Sequence, residues 1–235
     1  MNISVITVVF NGEKTIRDTI ESVCNQSLCP LEYIIIDGLS TDGTATIVRT
    51  YMERYPFIKF VSEKDAGIYD AMNKGISLAK GELIGIINSD DWYEPDALEK
   101  MNQAYLKNGS GIYFGILRKI KNGLEYCLER TGQDFVSERM IPHPTTFVSK
   151  DIYEKHGAFS LKYKYASDLE WVLRMARSGV TFRHLNDIIA NFRIGGVSDL
   201  PVAEMEALTI LKAYGVISKK QFIRRKLFLR LRSLL

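Results

Sequence analysis

The run Leu83-Ile-Gly-Ile-Ile-Asn-Ser-Asp-Asp91 constrains what this chain can fold into more than any other stretch. Leu83 to Ile87 is apolar, rich in isoleucine and without alternation. That is the pattern of a strand buried on both faces in the middle of a parallel sheet. It stops abruptly at Asn88, Ser89, Asp90 and Asp91. Open α/β sheets bind ligands at the carboxyl ends of their strands, so these side chains are expected at such a crevice. Two neighbouring carboxylates repel each other there, and a hard divalent cation bridging to a phosphate would compensate them. The same residues also suit a plainer role, a turn in which Asp90 or Asp91 caps the helix that follows Pro95.

Alternating strand and helix signals surround this run. Ile3 to Phe10 reads as a buried strand closed by Asn11-Gly12, and Lys14 to Asn25 as a helix with Ile16, Ile20 and Val23 on one side. Leu31 to Ile36 is a second strand, Thr41 to Tyr55 a helix capped by Thr41 or Asp42, and Phe57 to Val61 a third strand. Ile68 to Ala79 is a third helix, ended by Lys80-Gly81. Short connections between strand and helix imply parallel crossovers and a doubly wound sheet. The rhythm changes after Leu106. Ile112 to Leu117 and Leu124 to Leu128 flank an Asn122-Gly123 hairpin signal, and residues 130 to 145 read as a loop. Helices are expected over Ile152 to Lys155, Asp168 to Arg177 and Pro201 to Tyr214, with a strand within Val180 to Phe192. The fold class is α/β: a Rossmann-like, mostly parallel central sheet with helices on both faces and a smaller antiparallel and helical second half. One domain is expected over 1–215, divided near residue 110, with a tail over 216–235.

Composition excludes several function classes. The chain is 46% hydrophobic and 25% charged, as an ordinary soluble globule is, and its net charge of +3 is too small to imply a nucleic-acid partner. Cys24, Cys29 and Cys127 lack metal or disulfide spacing, which fits a reducing compartment. No apolar run reaches membrane-spanning length, and Ile3 to Phe10 lacks the basic leader of a signal peptide, so a cytoplasmic location is expected.

Three further constellations could carry chemistry. Asp37, at the end of the second strand, can accept a hydrogen bond from an imide N–H such as that of uracil, or can serve its own turn before Gly38. Asp65, Asp70 and Asn73 flank Gly67 at the start of the third helix, a place suited to an anion, with Lys74 one turn on; local capping is the alternative. Asp168 lies in the first turn of a helix, where a carboxylate favours the dipole.

Val5 to Asn11, Asp37 to Thr44, Gly67 to Gly75 and Asn88-Ser-Asp-Asp-Trp92, in that order, resemble the family 2 glycosyltransferases of the GT-A fold, and most closely the small bacterial enzymes of capsule, O-antigen and exopolysaccharide synthesis. The resemblance implies a nucleotide-sugar donor in contact with Val9, Phe10, Asp37, Asp65, Asp70, Asn73, Asn88, Ser89 and His143. It places the family's Asp-x-Asp metal motif on Asn88-Ser89-Asp90, so Asp90 would hold the Mg²⁺ or Mn²⁺ that bridges the diphosphate. The family's Glu-Asp pair falls on Ser167-Asp168, leaving Asp168 as the catalytic base. The Gln-x-x-Arg-Trp motif of processive synthases is absent. The implied activity is inverting, non-processive transfer of one sugar, with UDP as the expected nucleotide, to a hydroxyl of a lipid-linked or saccharide acceptor. A catalytically silent sugar-nucleotide-binding subunit is the alternative. Arg193 is a candidate positive charge near the site.

From Ser218 onward, Lys219, Lys220, Arg224, Arg225, Lys226, Arg230 and Arg232 are accompanied by no acid. Ile223, Leu227, Leu231 and Leu234 recur at helical spacing among them. Such a segment suits the anionic inner surface of the cell membrane; packing onto the domain or onto a second copy in a homodimer is the other reading.

Overall fold

The computed structural model describes residues 3–131, 140–195 and 200–232. Of the loop expected over 130 to 145, residues 132–139 lie outside these, and His143–Thr145 form a short 3-10 turn. Four strands form the parallel part of the sheet: β1 (Ile3–Val9), β2 (Glu32–Asp37), β3 (Ile58–Ser62) and β4 (Leu83–Ile86), side by side in the order β3-β2-β1-β4. Between them run α1 (Ile16–Cys24), α2 (Thr44–Arg54) and α3 (Ile68–Leu78). Their apolar runs give the reason. β1 and β2 are buried at every position, so both sheet faces must be covered. Ile3, Val5 and Val9 join one core with α1 and α2, while Ile6 and Val8 join another with α3. Each fully buried aliphatic side chain contributes roughly 1.5–3 kcal/mol.

The second half extends the same sheet and does not form a separate one. β5 (Trp92–Tyr93), α4 (Ala97–Asn108), β6 (Ile112–Lys121), β7 (Leu124–Glu129), β8 (Phe147–Ser149), α5 (Lys150–His156), α6 (Ser167–Arg177) and β9 (Phe182–Arg193) follow. Beyond β4 the order continues β8-β6-β9-β5, with β7 also paired to β6. β8 is antiparallel to β4, while β6 and β9 pair in parallel. The second half is therefore mixed and not simply antiparallel. Gly85 of β4 is where Phe147 of β8 packs: a Cβ there would lie 2.4 Å from the ring.

Two local expectations shift. α2 begins at Thr44, because Asn11 Oδ1 accepts the Thr41 N–H at 2.8 Å and ties residues before the helix to the loop after β1. Neither Asp90 nor Asp91 caps α4, whose N-cap is Asp96. α7 (Pro201–Ala213) and α8 (Lys219–Arg232) close the fold, joining Ala166, Leu169 and Leu173 of the α6 region in a third apolar cluster. α8 enters it through Leu229 and Phe222 and leaves Ile223, Leu227 and Phe228 more than half exposed. Leu231 and Leu234 lie outside the described side chains.

Candidate active site

The crevice forms where the parallel strands end. Asp37, the last residue of β2, is fully buried, and its oxygens accept the Ser40 N–H at 3.1 Å, the Ser40 hydroxyl and the Ser62 hydroxyl at 2.6 Å. It shapes the loop after β2, and most of its accepting capacity is already used. Beside it, a Cβ at Gly38 would lie 2.5 Å from Asp65 Oδ2 and 3.6 Å from the Phe10 ring. An exposed aromatic ring and a half-buried carboxylate thus stand together over the end of β2. Val9 just before Phe10 is buried and belongs to the core.

At the start of α3, Gly67 takes φ +124°, a conformation strained for other residues. Asp65 Oδ1 accepts its N–H at 2.9 Å, and Asp70 Oδ2 accepts that of Ala66 at 2.9 Å. Lys74 is engaged with Glu63 at 2.9 Å and with the Lys64 carbonyl. Asn73 has a structural role as well as the implied donor contact. Its amide accepts the Phe159 N–H and donates to the Phe159 carbonyl, both at 2.9 Å, and so pins the loop before α6.

The acidic loop after β4 is held from below. Thr19 donates to the Asp91 carbonyl at 2.7 Å, and a Cβ at Gly12 would lie 3.3 Å from Ser89 Oγ. Arg193 staples it from β9: its N–H donates to Asp91 Oδ1 at 3.1 Å, its Nε to the Asp90 carbonyl at 3.2 Å, and its guanidinium lies over Trp92. Burial raises the pKa of Asp90; burial and the neighbouring Asp90 charge push Asp91 well above the usual carboxylate range. Asn88 Oδ1 and Asp91 Oδ2 are buried with no hydrogen-bond partner among the described residues. Among the described residues, no group of three or more His, Cys, Asp or Glu side chains gathers as a cage there. Hard oxygen atoms, two of them unpaired, beside a desolvated carboxylate fit a cation such as Mg²⁺, which binds through one or two carboxylates plus phosphate and water.

Asp168 approaches from the second half. Its Oδ1 accepts the Tyr69 hydroxyl at 2.8 Å and the Leu169 N–H at 2.9 Å. Among the described residues, Oδ2 takes no hydrogen bond. Glu170 turns instead to Arg174 and Tyr214, so Tyr69 is the side chain that holds Asp168. Ser167 is buried and donates to the Ser160 carbonyl. His143 stands on the same wall as Asp168, with Ile86, Phe159 and Trp171. Its buried Nε2 lacks a partner among the described residues, and burial lowers its pKa against the opposing pull of Asp168. Sequence reading missed Tyr69, although it lies within the Gly67 to Gly75 stretch. It also missed the serines on Asp37.

Residues 4–162 match Glycosyl transferase family 2. The chain is 28% identical over 197 residues to a chondroitin synthase of Escherichia coli, covering 80% of this chain and 28% of that protein. It is 26% identical over 229 residues to a hyaluronan synthase of Pasteurella multocida, covering 94% and 22%. It therefore spans less than a third of the length of these curated relatives. A putative teichuronic acid biosynthesis glycosyltransferase, TuaG of Bacillus subtilis, is 27% identical over 82% of this chain and 79% of its own. Among solved structures, S. aureus TarS residues 1-349 in complex with UDP-GlcNAc superposes with a TM-score of 0.74 at 18% identity, over 94% of this chain and 69% of that one. The architecture is the GT-A fold. With the family match covering more than half of its residues, this chain belongs to glycosyl transferase family 2.

Proposed function

We propose that this chain transfers one sugar from a nucleoside diphosphate sugar, with UDP the favoured nucleotide, to a hydroxyl of a lipid-linked or saccharide acceptor in surface polysaccharide synthesis, with inversion at the anomeric carbon. The observation that carries this reading is the placement of Asp168. Its carboxylate is fixed through Oδ1 by Tyr69, which lies one residue into the helix that starts beside Asp65. Its other oxygen is left to take a proton.

Phe10 and Asp65 would face the nucleobase, with Asp37 holding their loop. Asn88 and Ser89 would meet the ribose and diphosphate, and Asp90 would hold Mg²⁺ or Mn²⁺. The cation would supply positive charge against the departing diphosphate. Asp168 Oδ2 would take the proton of the acceptor hydroxyl as its oxygen bonds to the anomeric carbon, while the bond from that carbon to the diphosphate oxygen breaks. Arg193, by bonding to the backbone around Asp90, would keep the acidic loop in place during this step. A thermal-shift panel of UDP-, GDP- and dTDP-sugars with and without Mn²⁺, followed by a UDP-release assay, tests the reading. Stabilisation and turnover by a UDP-sugar are expected. Binding with no turnover for any donor and acceptor would favour the silent-subunit reading instead.

The lipid-linked acceptor is supported by α8. Ile223, Leu227 and Phe228 are exposed on it beside exposed Lys219, Lys220 and Arg224, a charge pattern complementary to anionic lipid. No described helix is long and apolar enough to cross a membrane, so the proposed attachment is peripheral. Co-sedimentation with phosphatidylglycerol vesicles, weaker with phosphatidylcholine alone and lost in Ile223→Ser/Leu227→Ser, is the expected result. A stable dimer in solution that buries this face would overturn it.

A further inference from the structure

The loop that delivers Asp168 is gripped from behind by a residue outside the family match. Glu206 of α7 accepts three consecutive backbone N–H groups: Lys164 at 2.9 Å through Oε1, and Tyr165 at 2.6 Å and Ala166 at 2.8 Å through Oε2. Ala166 is the N-cap of α6, and Asp168 follows two residues later. A helix start leaves its first N–H groups without intrahelical partners, and here the N-cap residue, Ala166, has no side chain that could serve them. A carboxylate accepting several N–H groups at that end is a charge-assisted clamp that also meets the positive end of the helix dipole.

The other side of the same peptide is held as well. The Tyr69 hydroxyl that donates to Asp168 also lies 3.1 Å from the Tyr165 carbonyl. Residue 165 is thus held at its N–H by Glu206, while its carbonyl lies within reach of the one Tyr69 hydroxyl proton that also serves Asp168. α7 is in turn tied to α6, since Tyr214 donates to Glu170 and Arg177 donates to the Tyr214 carbonyl. We propose that Glu206 is a positioning residue that sets where the Asp168 carboxylate stands, so that α7 is part of the catalytic frame. The inference rests on the reading of Asp168 as the base. Displacement of a reacting group by about 1 Å can cost on the order of 100-fold in rate.

The test is a double-mutant cycle on UDP release, using whichever UDP-sugar of a panel gives turnover. Glu206→Gln keeps the shape but loses the charge that meets the three N–H groups. It should lower kcat by about 10- to 100-fold with donor KM within about twofold. In the Asp168→Asn background the same substitution should cost little further, because a group that acts through Asp168 has nothing left to position. Glu206→Asp, which keeps the charge on a shorter stem, should recover part of the rate, and it carries the same cycle if Glu206→Gln does not fold. Unchanged kcat in Glu206→Gln, or an equal loss with and without Asp168, would overturn the proposal. Full activity in Asp168→Asn alone would instead remove the base assignment, an outcome distinct from failure of the Glu206 clamp.

Discussion

Tyr69 and Asp168, 99 positions apart in the sequence, meet through a 2.8 Å hydrogen bond from the phenol to Oδ1. It joins the half of the fold that carries the proposed donor crevice to the half that carries the proposed base. The phenol is buried, and burial together with the Asp168 charge raises its pKa, so it remains a donor throughout the physiological range. Asp168→Asn should keep the fold and UDP binding, because Asn still accepts from Tyr69, while turnover falls by roughly 100- to 10,000-fold for want of a proton acceptor. UDP titration and single-turnover kinetics on the same preparation check both halves of this expectation.

Removing the phenol should act differently. Tyr69→Phe removes the single hydroxyl proton that Asp168 and the Tyr165 carbonyl share, leaving Oδ1 only the Leu169 N–H. A stability loss of about 1 kcal/mol is expected, read as a lower urea midpoint. A fall in kcat should accompany it without a matching change in UDP affinity. Equal losses of UDP affinity and rate would place Tyr69 in the donor pocket instead.

The acidic loop makes a metal-dependent prediction. Asp90 is desolvated, next to a second buried carboxylate, with the unpaired oxygens of Asn88 and Asp91 nearby. Mn²⁺ should tighten UDP binding to the wild-type chain by about tenfold or more, equivalent to about 1.4 kcal/mol. Asp90→Asn should abolish that increment while leaving metal-free UDP binding largely intact. Calorimetric titration of UDP with Mn²⁺ or with a chelator measures it.

His143 sets a pH dependence. Burial lowers its pKa in the folded state below the ordinary 6.5, so the unfolded chain binds the proton more readily. Its contribution is therefore present above pH 6.5 and is lost as pH falls from there toward the folded value. Thermal midpoints measured from pH 8 to pH 5 should drop more steeply for the wild type than for His143→Gln. Parallel curves would show that the ring is as easily protonated in the folded chain as in the unfolded one.

The sequence made the first half of this fold readable because its signals are local. β1, β2 and β4 are short runs dominated by β-branched and aliphatic residues, and Gly67 and Lys80-Gly81 bracket α3. The second half depends on pairings that no short window contains. β5 has two residues and β8 three, too few to show a period, yet β8 joins the two halves of the sheet. Around the proposed site, motif resemblance pointed to Asp90, in the turn after β4, and to Asp168, in the first turn of α6. It gave no sign that Asn73 also bonds to the Phe159 backbone. Glu206 was unreadable for a related reason: within Ala203 to Ala207 an acidic residue on a helix resembles any solvated one, and only the folded loop supplies its three N–H partners.

The junction between the halves also yields a prediction. Gly85 pairs with Phe147 across β4 and β8, and the phenylalanine ring lies flat against the space a side chain would need. In Gly85→Ala the new methyl would begin 2.4 Å from Cε1, a distance that requires the ring or the strand to move. Phe147 is fully buried and packs on Tyr93 with ring centroids 5.4 Å apart, so it has little room to yield. The gain from replacing glycine in a strand is under about 1 kcal/mol, whereas overpacking a closed core costs about 1–3 kcal/mol, so destabilisation should win. The cost should fall in the paired variant Gly85→Ala/Phe147→Leu, where the ring is gone. Urea unfolding of the two single variants and the double would show this as a favourable coupling, and strictly additive losses would mean that the strand, not the ring, absorbs the methyl.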